Sequence, residues 1–518
     1  MLSKKVTRRD MLKMFGLAAA GVVVAACAPK PAEQPTQAPA SSEATQAPAS
    51  SEATQAPTAA ATTAVSEPAQ SQKQMTILHW AQSAEPTDPN AQLDPGTVKH
   101  VAYQNIADAY TQLHPNIKIE WYRFPAGSDY AQWLQARITA QDCPDIFWGN
   151  TEDLWPHVSQ GWILDFTESM NQPNPYVAGN QKWMDQFQDI AIISQTGPDG
   201  KLYGVNMDGA GVMTVYNKKA FADAGIVDEP KTWGDFAAAW KKLLDKGYIP
   251  YGADISSADC CFPHWYEAHV YNQLLWDKIY QWDDDKNKVI TAQELATHFQ
   301  KGDFPDWNAF VEMAHLLKSM VPYFPVGYQG QLDYRTLWRQ GKVVMYMEGN
   351  WAVSQFKASP PPFEFGWLAF PIITKDIWPA APEKVVRIQG AWGAMQYHMP
   401  GYLAQKDPDK VTACMDWLMY SSKPENVTQI LKETGMVPLT KGAEGMPELA
   451  PFNQPYDRAV PYQSWQTLST GGLEAEYKVW QQYLPNEMTD DALISTAKDA
   501  LKAEVDKVLE ANPSWKIS

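Results

Sequence analysis

Cysteine is scarce, basic charge is outnumbered, and no apolar run is long enough to cross a bilayer. Five cysteines in 518 residues, with no C-x-x-C pair, give no sign of a zinc ribbon, and a body this size buries enough core without disulfides. Lys and Arg number 42 against 59 Asp and Glu, a formal net charge of −17. That balance disfavours a nucleic-acid binder, because phosphate contacts need a cationic face. Tryptophan is absent before Trp80, and residues 28–72 hold no aromatic residue at all. The remainder is the opposite: 22 tryptophans lie between Trp80 and Trp515, and 45% of the chain is hydrophobic, which excludes disorder of the whole. The length predicts two or three domains.

The N-terminus carries Lys4, Lys5, Arg8, Arg9 and Lys13 against Asp10 alone, followed by the apolar run Met14–Ala26 and then Cys27. A basic flank before a short apolar stretch and small residues predicts an export signal over 1–26. A membrane-spanning helix needs about 20 apolar residues, more than this run supplies. Val24-Ala25-Ala26-Cys27 resembles the bacterial lipobox, which implies acylation of Cys27. Arg8-Arg9 in Thr7–Lys13 resembles a twin-arginine signal, with Met11 where Phe is usual, so the choice of export route stays open. Removing the signal takes away five basic residues and one acidic, leaving −21.

Within residues 27–72, Thr-Gln-Ala-Pro-Ala-Ser-Ser-Glu-Ala occurs at Thr36 and again at Thr45, with Thr-Gln-Ala-Pro a third time at Thr54. The repeat has no apolar face to stack, and its Ala/Pro/Ser/Thr composition predicts a disordered tether holding a globular body off a membrane. Adjacent Cys260-Cys261 leave a vicinal disulfide as an open question.

From Met75 the pattern changes to alternating strand and helix. Met75–Trp80 reads as a strand, Val101–Leu113 as a helix stopped by His114-Pro115, and Ile117–Tyr122 as a strand of period two. A helix around Tyr130–Ile138 and a strand at Asp145–Trp148 complete a βαβαβ unit, which predicts a parallel sheet. A second unit starts with the strand Gly211–Tyr216. Thr232-Trp233-Gly234-Asp235 has the spacing of a helix start, and Trp233 and Trp240 are expected in the core. Further helices are expected around Phe310–Leu317, Val411–Leu418 and Ala492–Leu509. The fold class is α/β.

Pro144-Asp145-Ile146-Phe147-Trp148, Asp199–Val205, Tyr216–Phe221, Gly349-Asn350-Trp351 and Gly435–Pro438, in that order, resemble the extracellular solute-binding proteins of sugar-type ABC transporters (family 1, maltose-binding-protein-like). The resemblance spans about residues 74–518. It implies the two-lobed periplasmic-binding-protein type II fold, hinged by several crossings near 208–212, 388–390 and 435–438. Lobe one would be 74–208 plus 390–436, and lobe two 212–388 plus 437–518. It also implies a lipid-anchored monomer on the outer face of the cytoplasmic membrane that hands a carbohydrate to a membrane permease. No catalysis, cofactor or metal is expected.

A sugar offers C–H groups on its ring face, which tryptophan stacks on, and hydroxyls at its edge, which carboxylates and amides bind. The resemblance carries ligand contact to Trp80, Trp148, Asn150, Glu152 and Trp351. Placement beside these segments or the crossings adds Asp208, Glu348 and Trp392, and Cys260–Trp265 is a candidate cleft loop of lobe two. Each is equally readable as packing or as a solvated group. Asp283, Asp285, Asn287 and Glu294 fall at positions 1, 3, 5 and 12 of a calcium-type loop, but position 6 is Lys288 where a turn-permitting Gly is expected, so an acidic surface turn before a short strand is the competing reading. Two other functions stay open: an exported glycoside hydrolase, which needs two carboxylates at a set separation, and the same binding role for a peptide, polyamine or opine.

Overall fold

The computed structural model describes residues 73–93, 97–125, 130–256, 262–390 and 393–517. The export signal, Cys27, the tether, Cys260-Cys261 and Trp392 lie outside the described residues.

Strand β1 (Met75–His79) pairs in parallel with β2 (Ile117–Trp121), Ile77 facing Ile119 across the ladder. In β2 the isoleucines are buried and Lys118 and Glu120 face out, as period-two alternation requires. The intervening helix Ala102–Leu113 turns Tyr103, Ile106, Ala107 and Tyr110 inward. The third parallel strand is much shorter than expected. Strand β3 (Phe147–Trp148) meets β1 only through a single parallel bridge, His79 to Ile146. Pro144 has no N–H for a longer ladder, and the Asp145 side chain takes the Leu78 amide at 2.8 Å. Instead β3 joins a three-stranded antiparallel sheet whose middle strand is Gln396–His398, with β4 (Val205–Asn206) on the other side.

Strand β5 (Asp208–Asn217) is buried along all ten residues. Its second half sits in a larger sheet: β6 (Ile249–Tyr251) lies parallel to β7 (Val343–Gly349), and β7 and β8 (Phe365–Leu368) each pair antiparallel with β5. Its first half is flanked differently. Ala210 and Gly211 pair with Gln389–Gly390, while Asp208 and Gly209 pair with Val437–Pro438. Three chain segments thus run side by side where the sequence places its crossings.

Helix Trp233–Asp245 opens with a full capping box: Thr232 accepts from the Asp235 amide, and the Asp235 carboxylate accepts from the Thr232 amide at 2.9 Å. It buries Trp233, Phe236, Trp240 and Leu243, and full burial of Phe236 or Leu243 is worth roughly 1.5–3 kcal/mol each. Helices Trp307–Ser319, Pro408–Ser421 and Asp490–Ala511 occupy the three further segments with helical periodicity.

Two large apolar cores result. One gathers Ile77, Tyr103, Tyr110, Met395, Trp417 and Leu431; the other gathers Phe236, Trp240, Tyr266, Leu317, Trp480 and Leu501. Trp351 is half-buried and packs against both. Among the described residues, no helix is long and apolar enough to cross a membrane.

Candidate functional site

Strand β7 ends at Gly349, and helix Ala352–Ala358 begins beyond Trp351. A Cβ at Gly349 would lie 2.2 Å from the Trp351 ring, so only glycine lets the indole fold back over the strand end. Trp351 stays half-exposed beside half-exposed Trp265, ring centroids 5.7 Å apart and planes at 58°. Trp265 lies in the first turn of helix His264–Leu274. The segment flagged as a candidate loop therefore brings an aromatic ring to Trp351.

Strand β3 delivers Trp148 half-exposed, its Nε1 donating to the Gly393 carbonyl at 2.9 Å. Asn150 precedes helix Thr151–Leu154, and its Oδ1 accepts from Gln396 at 3.4 Å. Beneath this corner the buried His398 imidazole lies between the carbonyls of Tyr203 and Gly149, 2.9 and 3.2 Å away, and burial lowers its pKa to about 4. Glu152 falls in that short helix, its side chain outside the described part of the structure.

Three candidates are placed differently from expectation. Trp80 is only 4% exposed, stacked on Phe124 at 4.7 Å with Trp133 and Trp148 at its edges. Its ring packs against Trp148 while Phe124 covers its face. Asp208 does not line a cleft wall: it is fully buried, and Oδ1 accepts from the Met395 amide at 2.9 Å. Burial raises its pKa to about 7, partly offset by the Met395 and Ala394 amides. Glu348 is also buried, with Oε2 paired to Arg335 Nε at 2.9 Å and Oε1 accepting from Gly349 N at 2.9 Å. Both carboxylates are committed to the fold.

Several cavities open among the described residues where segments of the two cores meet. One, of about 540 Å³, is lined by Ser83, His100, Arg339, Trp351 and Gln355 among others. Another, about 150 Å³, lies between Thr151, Trp155 and Ile193 on one side and Lys288, Gln389 and Gln463 on the other. Arg339, His100 and Trp155 carry no motif that singles them out in the sequence. Only the meeting of distant segments identifies them.

The calcium-type loop has the shape its spacing suggests. Lys288 adopts φ +70°, the left-handed conformation expected of glycine at that position. Oxygens of Asp283, Asp285 and Glu294 lie within 4.8 Å of one another. The buried carboxylates are engaged from inside the loop, however. Asp283 accepts from the Asn287 and Lys288 amides, and Glu294 from the amides of Asp284, Asp285 and Thr291. Glu294 closes a capping box with Thr291 and starts helix Ala292–Lys301, where the competing reading expected a strand.

The sequence model of the bacterial extracellular solute-binding proteins matches residues 105–453. An uncharacterised ABC-transporter extracellular-binding protein of Pyrococcus horikoshii is 24% identical over 264 residues, 48% of this chain. That alignment spans about half (53%) of the relative's own length. The melibiose/raffinose/stachyose-binding protein MelE of Bacillus subtilis is 21% identical over 345 residues, 64% of this chain and 70% of MelE. Among solved structures, RafE in complex with raffinose superposes with a TM-score of 0.57 at 15% identity, covering 84% of this chain and 99% of RafE. A chitin oligosaccharide binding protein superposes at 0.60 and 18% identity, with the same coverage. The α/β fold is the two-lobed one with a hinge of several crossings, and the chain belongs to the bacterial extracellular solute-binding protein family.

Proposed function

We propose that the chain captures a carbohydrate between its lobes and delivers it to an ABC-transporter permease, held to the outer face of the cytoplasmic membrane by lipid on Cys27. The observation that carries this reading is the Trp265–Trp351 pair, two half-exposed indoles where the two cores meet, beside a cavity rich in hydroxyl and amide groups. Indoles so placed suit the C–H face of a sugar ring, and hydrogen-bonding side chains suit its edge. The names of MelE and of the raffinose and chitin-oligosaccharide binders point the same way. Trp148 and Asn150 are the first-lobe contacts in this reading, while Trp80, Asp208 and Glu348 act as supports. Lobe one is then 74–208 plus 390–436 and lobe two 212–388 plus 437–518, a division supported by the separate cores except at 439–443, which pack with the first.

The role is binding without turnover. The family is one of binding proteins, and two of the acids a hydrolase reading would use, Asp208 and Glu348, are engaged in packing. Titration of tryptophan fluorescence and melting temperature against a panel of mono- and oligosaccharides tests the reading, because a ligand bound only by the folded state raises its melting temperature. A saturable response lost in Trp351→Ala is expected. A panel with no response, or turnover of aryl glycosides by the pure protein, overturns it.

A further inference from the structure

The larger cavity has a chemical asymmetry that a neutral sugar does not call for. Among the described residues, its lining includes a guanidinium, Arg339, and an imidazole, His100, but no Asp or Glu. Arg339 is fixed in place: Nη1 donates to the Ser359 carbonyl at 2.8 Å, and the guanidinium lies 5.5 Å from the centre of the Phe356 ring. Neither partner neutralises it. Among the described residues, no carboxylate comes within salt-bridge distance of Arg339; Arg123, Arg137 and Arg335 each have one, in Glu85, Asp142 and Glu348, while Arg387 and Arg458, like Arg339, donate to backbone carbonyls. A guanidinium has five N–H donors in a rigid fork, so most of this fork remains for a ligand.

The surrounding acids do not fill that role. Glu433 stands near His100, but its carboxylate accepts from the Val101 and Ala102 amides at 2.9 and 3.1 Å. Glu348 is tied to Arg335. Burial lowers the His100 pKa, with Glu433 opposing, so the ring serves as a neutral hydrogen-bonding group and Arg339 supplies the charge. The net charge of −17 is spread over the whole chain, and ionic screening confines its influence to about 8 Å at physiological salt. Arg339 is the cationic group in the cavity lining.

Resting on the carbohydrate reading above, we infer that this cavity selects a saccharide bearing an anionic substituent, with Trp351 against the sugar ring and Arg339 pairing with the anion. A uronate carboxylate matches the guanidinium fork with two parallel N–H···O bonds, and a sulfate ester offers the same oxygen geometry. Gln355, which also lines the cavity, is available to hydroxyls. A neutral sugar would leave the guanidinium paired only with a backbone carbonyl.

Calorimetric titration of the purified full chain with digalacturonate, a sulfated disaccharide and neutral disaccharides of the same linkages tests this. At least tenfold tighter binding of one acidic ligand is expected, with the ligand distinguishing carboxylate from sulfate. Arg339→Gln should remove the preference, and Arg339→Lys should restore only part of it, because the ammonium cannot fork. Neutral ligands binding as tightly as acidic ones, or an acidic preference unchanged in Arg339→Gln, overturns the inference and leaves the carbohydrate reading standing. Binding of none of these sugars overturns both.

Discussion

The buried carboxylate of Asp208, at the start of β5, accepts the amide hydrogen of Met395 at 2.9 Å, tying one crossing segment to the chain just beyond another. The approach is close enough that a Cβ on Gly393 would lie 1.8 Å from Asp208 Oδ1. Its second oxygen, Oδ2, is buried without a hydrogen-bond partner. Joining the two segments in this way places an ionisable group fully out of contact with solvent.

That burial makes stability depend on pH. Asp208 has a folded-state pKa of about 7 against an ordinary 3.8, so between these values the folded state binds the extra proton. Its stabilising contribution is therefore complete below about pH 4 and is lost as pH rises through 7. The difference corresponds to about 4 kcal/mol at most. Asp208→Asn keeps an acceptor for Met395 and removes the charge. The variant should melt higher than the parent at pH 8, with the gap closing toward pH 4 in paired thermal scans. Equal gaps at both pH values would refute this.

A second pair reinforces the trend from the other core. Glu267 accepts from Trp480 Nε1 at 3.0 Å and Glu476 from the Trp465 amide at 3.2 Å, both carboxyls buried. Burial raises both pKa values, that of Glu476 to about 7, and the neighbouring Glu476 raises Glu267 further. The charge lost on protonation is again favourable at low pH and unavailable at high pH. Glu476→Gln should flatten the decline in urea-unfolding free energy between pH 5 and 8, leaving the Asp208 component. An unchanged slope in this variant would count against the pair.

Gly349 sets the posture of Trp351. Alanine there meets the far end of the indole at 2.2 Å, so the ring swings away while the strand stays. Gly349→Ala should weaken sugar binding about tenfold or more, with a melting temperature within a few degrees of the parent. Fluorescence titration beside a thermal scan separates the two effects. A large loss of stability with retained affinity would contradict this account.

Membrane attachment is testable at Cys27. Cys27→Ser should move the chain from the membrane pellet to the soluble extracytoplasmic fraction, and intact mass should lose the acyl increment. A variant that still pellets would place the anchor elsewhere.

Much of the scaffold was legible in the sequence because its signals are local. The Thr232–Asp235 cap, the period-two isoleucines of β2 and the apolar stripe holding Trp233 and Trp240 each lie within a few residues of one another. The candidate site was legible only in part. Trp351 and Trp148 sit in motifs that mark strand ends, but the burial of Asp208 depends on Gly393 and Met395, far along the chain. The fate of Trp80 depends on Phe124 closing over it, and Arg339 reaches the cavity only because distant segments meet there. The truncation of β3 reflects Pro144 and the Asp145 side chain, which composition and periodicity do not reveal.

The three-stranded sheet of β3, Gln396–His398 and β4 has a consequence for how the protein is made. Its middle strand leaves the ribosome after more than a hundred residues of the second core have already emerged. The first-emerging lobe must therefore wait, its two outer strands unpaired, until the polypeptide returns to complete it. Non-local pairings of this kind slow folding and expose strand edges to misassembly. A nascent chain stalled before residue 396 would hold an unfinished first lobe, so proteases and chaperones meet this protein first as an open N-terminal half.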